Sequence, residues 1–382
     1  MPLMPIALLS TLLHAYIGLR LVPALLAWPW AAAAVALVLL AGAVLMPMAL
    51  ITHRLWRQPW ADRMAWAAML SLGLFSSLLV LTLARDALAL LGLIANALFE
   101  AGLPLAAWAP ASASAAGTVV GALALTLLGL WDARPPSAVG AVGVPIAGLP
   151  PALHGFTIAQ ISDVHIGPTI KAPYLQAIVD RVNRLEADLV AVTGDLVDGS
   201  VRDLAAHVAP LAGLRSRHGS FFVTGNHEYY SGAHAWIEEL QRLGLQVLMN
   251  RHVVLRHGEA SLVLAGVADF HAHHFDPAHR SDAHAALAGA PADAALRVLL
   301  AHQPRSANEA LRAGFDLQLS GHTHGGQFLP WNLFVPLQQP FTAGLHRLGT
   351  LWIYVSRGTG YWGPPKRVGA PSGITRLRLV RA

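Results

Sequence analysis

Cysteine is absent from the 382 residues, which excludes disulfide bonds, thiolate metal ligands and a cysteine nucleophile. Charge is scarce too: Asp, Glu, Lys and Arg make up 12% of the chain against 55% hydrophobic residues, whereas an ordinary soluble domain carries about 25% charged residues. A large soluble core alone does not explain that shortage. The charges are also unevenly spread, since Arg20, Arg54, Arg57, Asp62, Arg63, Arg85, Asp86 and Glu100 are the only ones before residue 132. Two regions in two different solvents are implied. There is no block or stripe of Lys and Arg, and the 26 basic residues are nearly matched by 21 acidic ones. The formal charge of +5 is therefore no sign of a nucleic-acid partner, and none is expected.

The first region, residues 1–132, reads as a transmembrane bundle. A bilayer's hydrocarbon core takes about 20 apolar helical residues, and the runs 4–27, 31–51, 64–84 and 113–131 qualify. A soluble helix needs a polar face at a period of 3.6, and these runs are apolar all round. Trp28, Trp30, Trp56, Trp60, Trp108 and Trp131 flank them, as in an interfacial aromatic belt. No basic residue precedes the first run, which speaks for a retained anchor over a cleaved signal peptide. Residues 86–107 are broken up by Asn96, Glu100 and Pro104 and are expected to form an interfacial or re-entrant segment. Arg54, Arg57, Arg63 and Arg134 outnumber Arg20 and Arg85 on the opposite side. The positive-inside tendency then puts both termini in the cytoplasm.

Residues 133–155 are rich in Pro and Gly without a helical period, as expected of a linker. From Phe156 onward, short apolar runs alternate with amphipathic helices. FTIAQIS, DLVAVTG, GSFFVTG, SLVLAGVAD, LRVLLAH, FDLQLSG and LWIYVS read as strands. Helices are expected where Leu175, Ile178, Val179, Val182 and Leu185 recur, and over 234–243 and 305–313. Residues 156–382 are enough for one α/β domain, expected as two packed β-sheets flanked by helices.

Polar residues gather just past the carboxyl ends of these strands, where open α/β sheets place their binding crevices. They are Asp163 and His165 in SDVH, Asp195 and Asp198 in GDLVD, Asn226, His227 and Glu228 in GNHE, His302 in AHQP, and His322 and His324 in GHTHGG. Singly, each has an ordinary explanation as a turn or surface residue. Five strands of one domain ending in metal-type side chains make a joint signal.

In this order the motifs resemble the calcineurin-like metallophosphoesterase family, and more narrowly its membrane-associated bacterial branch. The resemblance covers roughly 156–360 and implies a hydrolase of phosphate esters with two divalent ions, which in such sites lie about 3.5–4 Å apart. A mixed carboxylate and imidazole shell suits Mn, Fe, Zn or Ni. It implies that Asp163, His165 and His324 bind one ion, that Asn226, His302 and His322 bind the other, and that Asp195 bridges them. His227 matches the family's histidine that contacts the phosphoryl group and protonates the leaving oxygen, with Glu228 or Asp198 holding its ring. For Asp198 a plain turn role is an equal alternative.

A second group, His271, His273, His274, His279 and His284, follows Asp269. No carboxylate partner has a defined spacing there, so structural or substrate-rim roles are expected. Arg305, Arg357 and Lys366 are candidate phosphate contacts or surface ion-pair partners. Trp331, Phe334, Trp352 and Trp362 belong either to the core or to an apolar lip. The resemblance implies a bacterial inner-membrane enzyme acting on a phosphorylated, lipid-linked substrate such as UDP-2,3-diacylglucosamine in lipid A synthesis. Competing readings are a catalytically silent membrane scaffold or sensor, and a nuclease or cyclic nucleotide phosphodiesterase of the same fold.

Overall fold

The structure, a computed structural model, describes residues 3–49, 58–99, 111–134 and 138–382. Its internal contacts divide the chain into two units, Met1–Trp131 with Gly363–Lys366, and Asp132–Trp362 with Arg367–Ala382. Trp56, Arg54, Arg57, Glu100, Pro104 and Trp108 lie outside the described residues.

The first unit holds four helices: α1 (Leu3–Leu21), α2 (Pro29–Met48), α3 (Trp60–Phe99) and α4 (Ala111–Asp132). Each is long and apolar enough to cross a membrane. Leu8, Leu12, Leu19, Leu37, Leu40 and Leu127 point outward and are exposed. In water each would forgo about 1.5–3 kcal/mol of burial, so this surface suits lipid. Small residues let the helices approach one another: a Cβ on Gly42 would collide with the ring of His14, which is buried and stacked on Phe75.

Of the segment expected as interfacial or re-entrant over 86–107, residues 86–99 continue α3 as part of one helix of 40 residues, which is no re-entrant turn, and 100–107 lie outside the described residues. Its charges do not break the helix because they are satisfied. Asp86 accepts from Arg20 Nε at 2.8 Å and Tyr16 Oη at 2.7 Å, and Arg85 Nε donates to Ser114 Oγ at 2.9 Å. These bonds bring the end of α1, the middle of α3 and the start of α4 to one level. At 1.5 Å per residue α3 is about 60 Å long, about twice the hydrocarbon thickness.

The second unit has two six-stranded sheets. Its strands are β1 (Ala138–Ile146), β2 (Thr157–Ile161), β3 (Leu189–Val192), β4 (Ser220–Phe222), β5 (Gln246–Val247), β6 (Arg251–His257), β7 (Ala260–Gly266), β8 (Leu296–Leu300), β9 (Leu317–Ser320), β10 (Gly344–Leu348), β11 (Leu351–Val355) and β12 (Gly373–Arg381). One sheet runs β1-β12-β2-β3-β4-β5 and the other β10-β11-β9-β8-β7-β6. β2, β3 and β4 are parallel to one another, as are β7, β8, β9 and β11.

Alternation along the strands builds the layers. Ile158, Leu189, Ala191 and Phe221 face the core between the sheets with Leu262, Leu264, Val298 and Leu319. Their neighbours Ala159, Val190, Val192 and Phe222 face the other way, onto helix α5 (Ala172–Asn183), α6 (Val201–Val208) and, after α7 (Asn226–Ser231), α8 (Ala233–Arg242). In α5 the buried Leu175, Ile178, Val179 and Val182 recur at helical spacing. Short helices α9 (Ala283–Ala286) and α10 (Ala307–Ala313) cover the second sheet.

The stretch expected as linker is partly strand. β1 pairs in parallel with β12, and Val144, Ile146, Leu149 and Leu153 are buried in the central core. Pro145 is tolerated because β1 is an edge strand, where a missing N–H costs little.

Candidate metal centre

The expected site residues converge at one end of the second unit. β2 ends at Ile161 and delivers Asp163 and His165, β3 delivers Asp195, β8 delivers His302, and β9 delivers His322 and His324. Asn226 and His227 open α7. Of the eight non-glycine residues with positive φ among the described residues, five are Asp163, His165, Asp195, His322 and His324. Each such conformation costs about 1–3 kcal/mol and clusters at functional sites. So dense a concentration is not explained by ordinary turns. Glycines make room for it: a Cβ on Gly225 would overlap the Asp195 carboxylate, and one on Gly321 would overlap Ser162 and Asp163.

Two donor groups result. Asp163, His165 and His324 form one, and Asp195, His302 and His322 the other. In the first, His165 Nε2 lies 3.0 Å from His324 Nε2, and His324 Nε2 is 3.7 Å from Asp163 Oδ1. In the second, His302 Nε2 lies 3.2 Å from His322 Nδ1 and 3.1 Å from Asp195 Oδ2. That oxygen is also 4.0 Å from His165 Nε2, so Asp195 stands between the groups. Two nitrogens bound tetrahedrally at zinc-like distances would be about 3.3 Å apart, close to both observed pairs.

The residues fit a pair of ions on chemical grounds. Asp163 Oδ2 and Asn226 Oδ1 are buried with no hydrogen-bond partner, and an unsatisfied buried acceptor costs about 1–3 kcal/mol. His302 turns Nδ1 to the Thr193 carbonyl at 2.7 Å and His165 turns Nδ1 to Asp198 at 3.2 Å. Each thereby keeps its Nε2 lone pair for the centre. Behind His324, Arg367 Nη2 lies 3.0 Å from Nδ1. The same guanidinium donates to the Gly360 and Arg357 carbonyls.

Burial and mutual charge set the electrostatics of these groups. Burial opposes charge on Asp195, yet His302, then His227 and His165, hold it well below the usual carboxylate range. Burial likewise opposes charge on His302, which Asp195 raises well above an ordinary histidine. Burial, then the charge on His302, pushes His322 down to about 3. Burial, then His165 and Arg367, pushes His324 well below its ordinary value. The latter two are neutral imidazoles, the form that binds metal.

His227 stands beside both groups. Its Nδ1 is 2.6 Å from Asp198 Oδ1 and its Nε2 4.0 Å from Asp195 Oδ2. Burial lowers its pKa, but the bond to Asp198 and the charges of Asp195, Asp198 and Glu228 raise it to about 9. Of the two carboxylates expected to hold this ring, only Asp198 does so. Glu228 accepts from the backbone N–H groups of Asp195, Leu196 and Gly225 at 3.0, 2.7 and 2.6 Å, and so fixes the loop that carries Asp195.

The candidate phosphate contacts sit in different surroundings, and the charge of Arg305 reaches His322. Lys366 is buried and hydrogen-bonds within the first unit. Arg305 stacks over Phe270 and donates to the Gln338 carbonyl, and Arg357 is exposed. Among the tryptophans, Trp331 and Trp362 are exposed with Phe334, while Trp352 packs against the central core. Sequence reasoning missed Arg367, which is fully buried, and Tyr230, whose ring meets His227 edge-on at 5.2 Å, as Trp362 does at 5.7 Å. No motif marks Arg367, and the position of Tyr230 three residues past His227 in a helix was the available signal for the other.

Residues 156–326 match the calcineurin-like phosphoesterase family. Over 270 residues the chain is 42% identical to a protein of Bos taurus named transmembrane protein with metallophosphoesterase domain, an alignment covering 68% of this chain and 60% of that one. It is 33% identical over 224 residues to a metallophosphoesterase of Aquifex aeolicus, covering 58% of this chain and 84% of the relative. The chain thus spans about three-fifths of the length of the first of these relatives. With four helices able to cross a bilayer and a relative named for its transmembrane segments, the chain is a membrane protein. It belongs to the calcineurin-like metallophosphoesterase family.

Proposed function

We propose that the chain is a membrane-anchored phosphoesterase with a two-ion centre, in which residues 1–132 are the anchor and 156–382 the catalytic domain. The observation that carries this reading is Asp195 standing between two histidine-carboxylate groups, with the Asp163 and Asn226 oxygens buried and unpaired. Asp163, His165 and His324 hold one ion; Asn226, His302 and His322 hold the other; Asp195 is shared. Two divalent ions of the Mn, Fe, Zn or Ni class supply neutralisation of the phosphoryl oxygens and make water acidic enough to attack near neutral pH. His227, steadied by Asp198, delivers the proton to the leaving oxygen. Glu228 holds the Asp195 loop in its strained conformation.

We further propose that the substrate is a lipid-linked phosphate or pyrophosphate of the UDP-2,3-diacylglucosamine type, met at the cytoplasmic face of a bacterial inner membrane. A lipid that leaves the bilayer exposes its chains at about 0.8 kcal/mol per CH₂, and an enzyme anchored in the same membrane avoids that cost. Exposed Trp331, Phe334 and Trp362 supply apolar surface for such a substrate. The test compares kcat/KM for the acylated substrate and its deacylated analogue. A clear preference for the acylated form is expected, and equal values would contradict a lipid substrate.

A further inference from the structure

Away from the two donor groups, a third set of ligand-type side chains converges from two separate segments. His234 is the second residue of α8, while Asp276 and His279 belong to the short turn around Pro277–His279. One ligand atom from each lies within 4.8 Å of the others. His234 Nε2 is 3.0 Å from Asp276 Oδ2, and His279 Nε2 is 3.9 Å from the same oxygen. The two imidazole centroids are 4.8 Å apart.

Two further polar atoms of the set are committed elsewhere. Asp276 Oδ1 caps its turn by accepting from Ala278 N at 2.9 Å, which leaves Oδ2 free to face the rings. His279 Nδ1 lies 2.9 Å from Tyr229 Oη. With the ring proton on Nδ1 and donated to the phenol oxygen, Nε2 presents its lone pair toward Asp276 and His234. That outer hydrogen bond is the arrangement that orients metal-bound histidines.

We propose that His234, Asp276 and His279 form a third divalent-cation site, separate from the two-ion centre, that takes a zinc-class ion with water completing its shell. Two imidazoles and one carboxylate favour Zn, Ni, Co or Cu over Mg or Ca, which prefer oxygen shells. None of these residues serves the two-ion centre. An ion here links the start of α8 to the 276–279 turn. It also bears, through His279, on Tyr229 of α7, the helix that carries Asn226 and His227. Without an ion the set reduces to a surface histidine-carboxylate contact, which contributes little to stability.

The experiment is equilibrium dialysis of the detergent-solubilised full chain against zinc, with elemental analysis, for the wild type, His234→Ala and His279→Ala. His234 has a side chain 70% exposed, so its removal leaves the core intact, and thermal melting of the variant checks this. The wild type is expected to bind one zinc equivalent more than either variant, and excess magnesium is expected not to displace it. Equal stoichiometry in wild type and both variants, with melting unchanged, overturns the proposal. Displacement of the extra equivalent by magnesium overturns the assignment of a transition-metal site.

Discussion

Asp198 Oδ1 lies 2.6 Å from Nδ1 of His227, and the same oxygen is 3.2 Å from Nδ1 of His165. One carboxylate thus orients the ring assigned to proton transfer and a ring assigned to an ion. Replacing such an outer partner usually costs about 10–100-fold in metal affinity or activity. Asp198→Asn, which keeps the shape but not the charge, is expected to lower kcat by that order on p-nitrophenyl phosphate. A rate equal to wild type would reduce Asp198 to the turn residue that its sequence context equally allows.

His227→Ala separates proton transfer from ion binding. The ring adjoins both donor groups but belongs to neither ligand set proposed for the two ions, so elemental analysis should find the ion content unchanged. Turnover should fall by roughly 10²–10⁴, the range for losing a general acid or base. Loss of an ion in this variant would instead make His227 a ligand.

Much of the centre was legible because its residues sit in short motifs at strand ends. A strand followed by a small residue and a polar one announces where the chain leaves the sheet, and five such exits in one domain can be counted without coordinates. Strands β2, β3, β4, β7, β8, β9 and β11 were visible as apolar runs for the same reason. β12 was missed although it carries a readable signal: Thr375, Leu377 and Leu379 are buried while Arg376 and Arg378 are exposed, an alternation of period two. β1 was hidden by its glycines and Pro145, whose local preference is for loops and which only the pairing with β12 overrides. The roles of Glu228 and Arg367 were not legible. Both act through backbone groups brought close by the fold, and no sequence spacing encodes such contacts.

Four crossings would put both ends of the helical unit on one side, and we propose that this side is the cytoplasm. Arg20, Asp86 and Ser114 lie at one level in the helical unit through their shared hydrogen bonds, as an even number of crossings requires. Fusions after Arg134, just before β1, are expected to give fluorescence with a reporter active only in the cytoplasm. Alkaline phosphatase activity at that junction, without fluorescence, would place the catalytic domain on the other side.

The central claim is that hydrolysis depends on two ions sharing Asp195. The most direct measurement follows p-nitrophenyl phosphate turnover together with ion content in the solubilised full chain, after chelation and after reloading with manganese, for wild type and Asp195→Asn. Chelation should abolish wild-type turnover and manganese should restore it. Asp195→Asn should bind fewer ions and stay inactive after reloading. Turnover that survives chelation, or wild-type turnover in Asp195→Asn, would contradict the two-ion account.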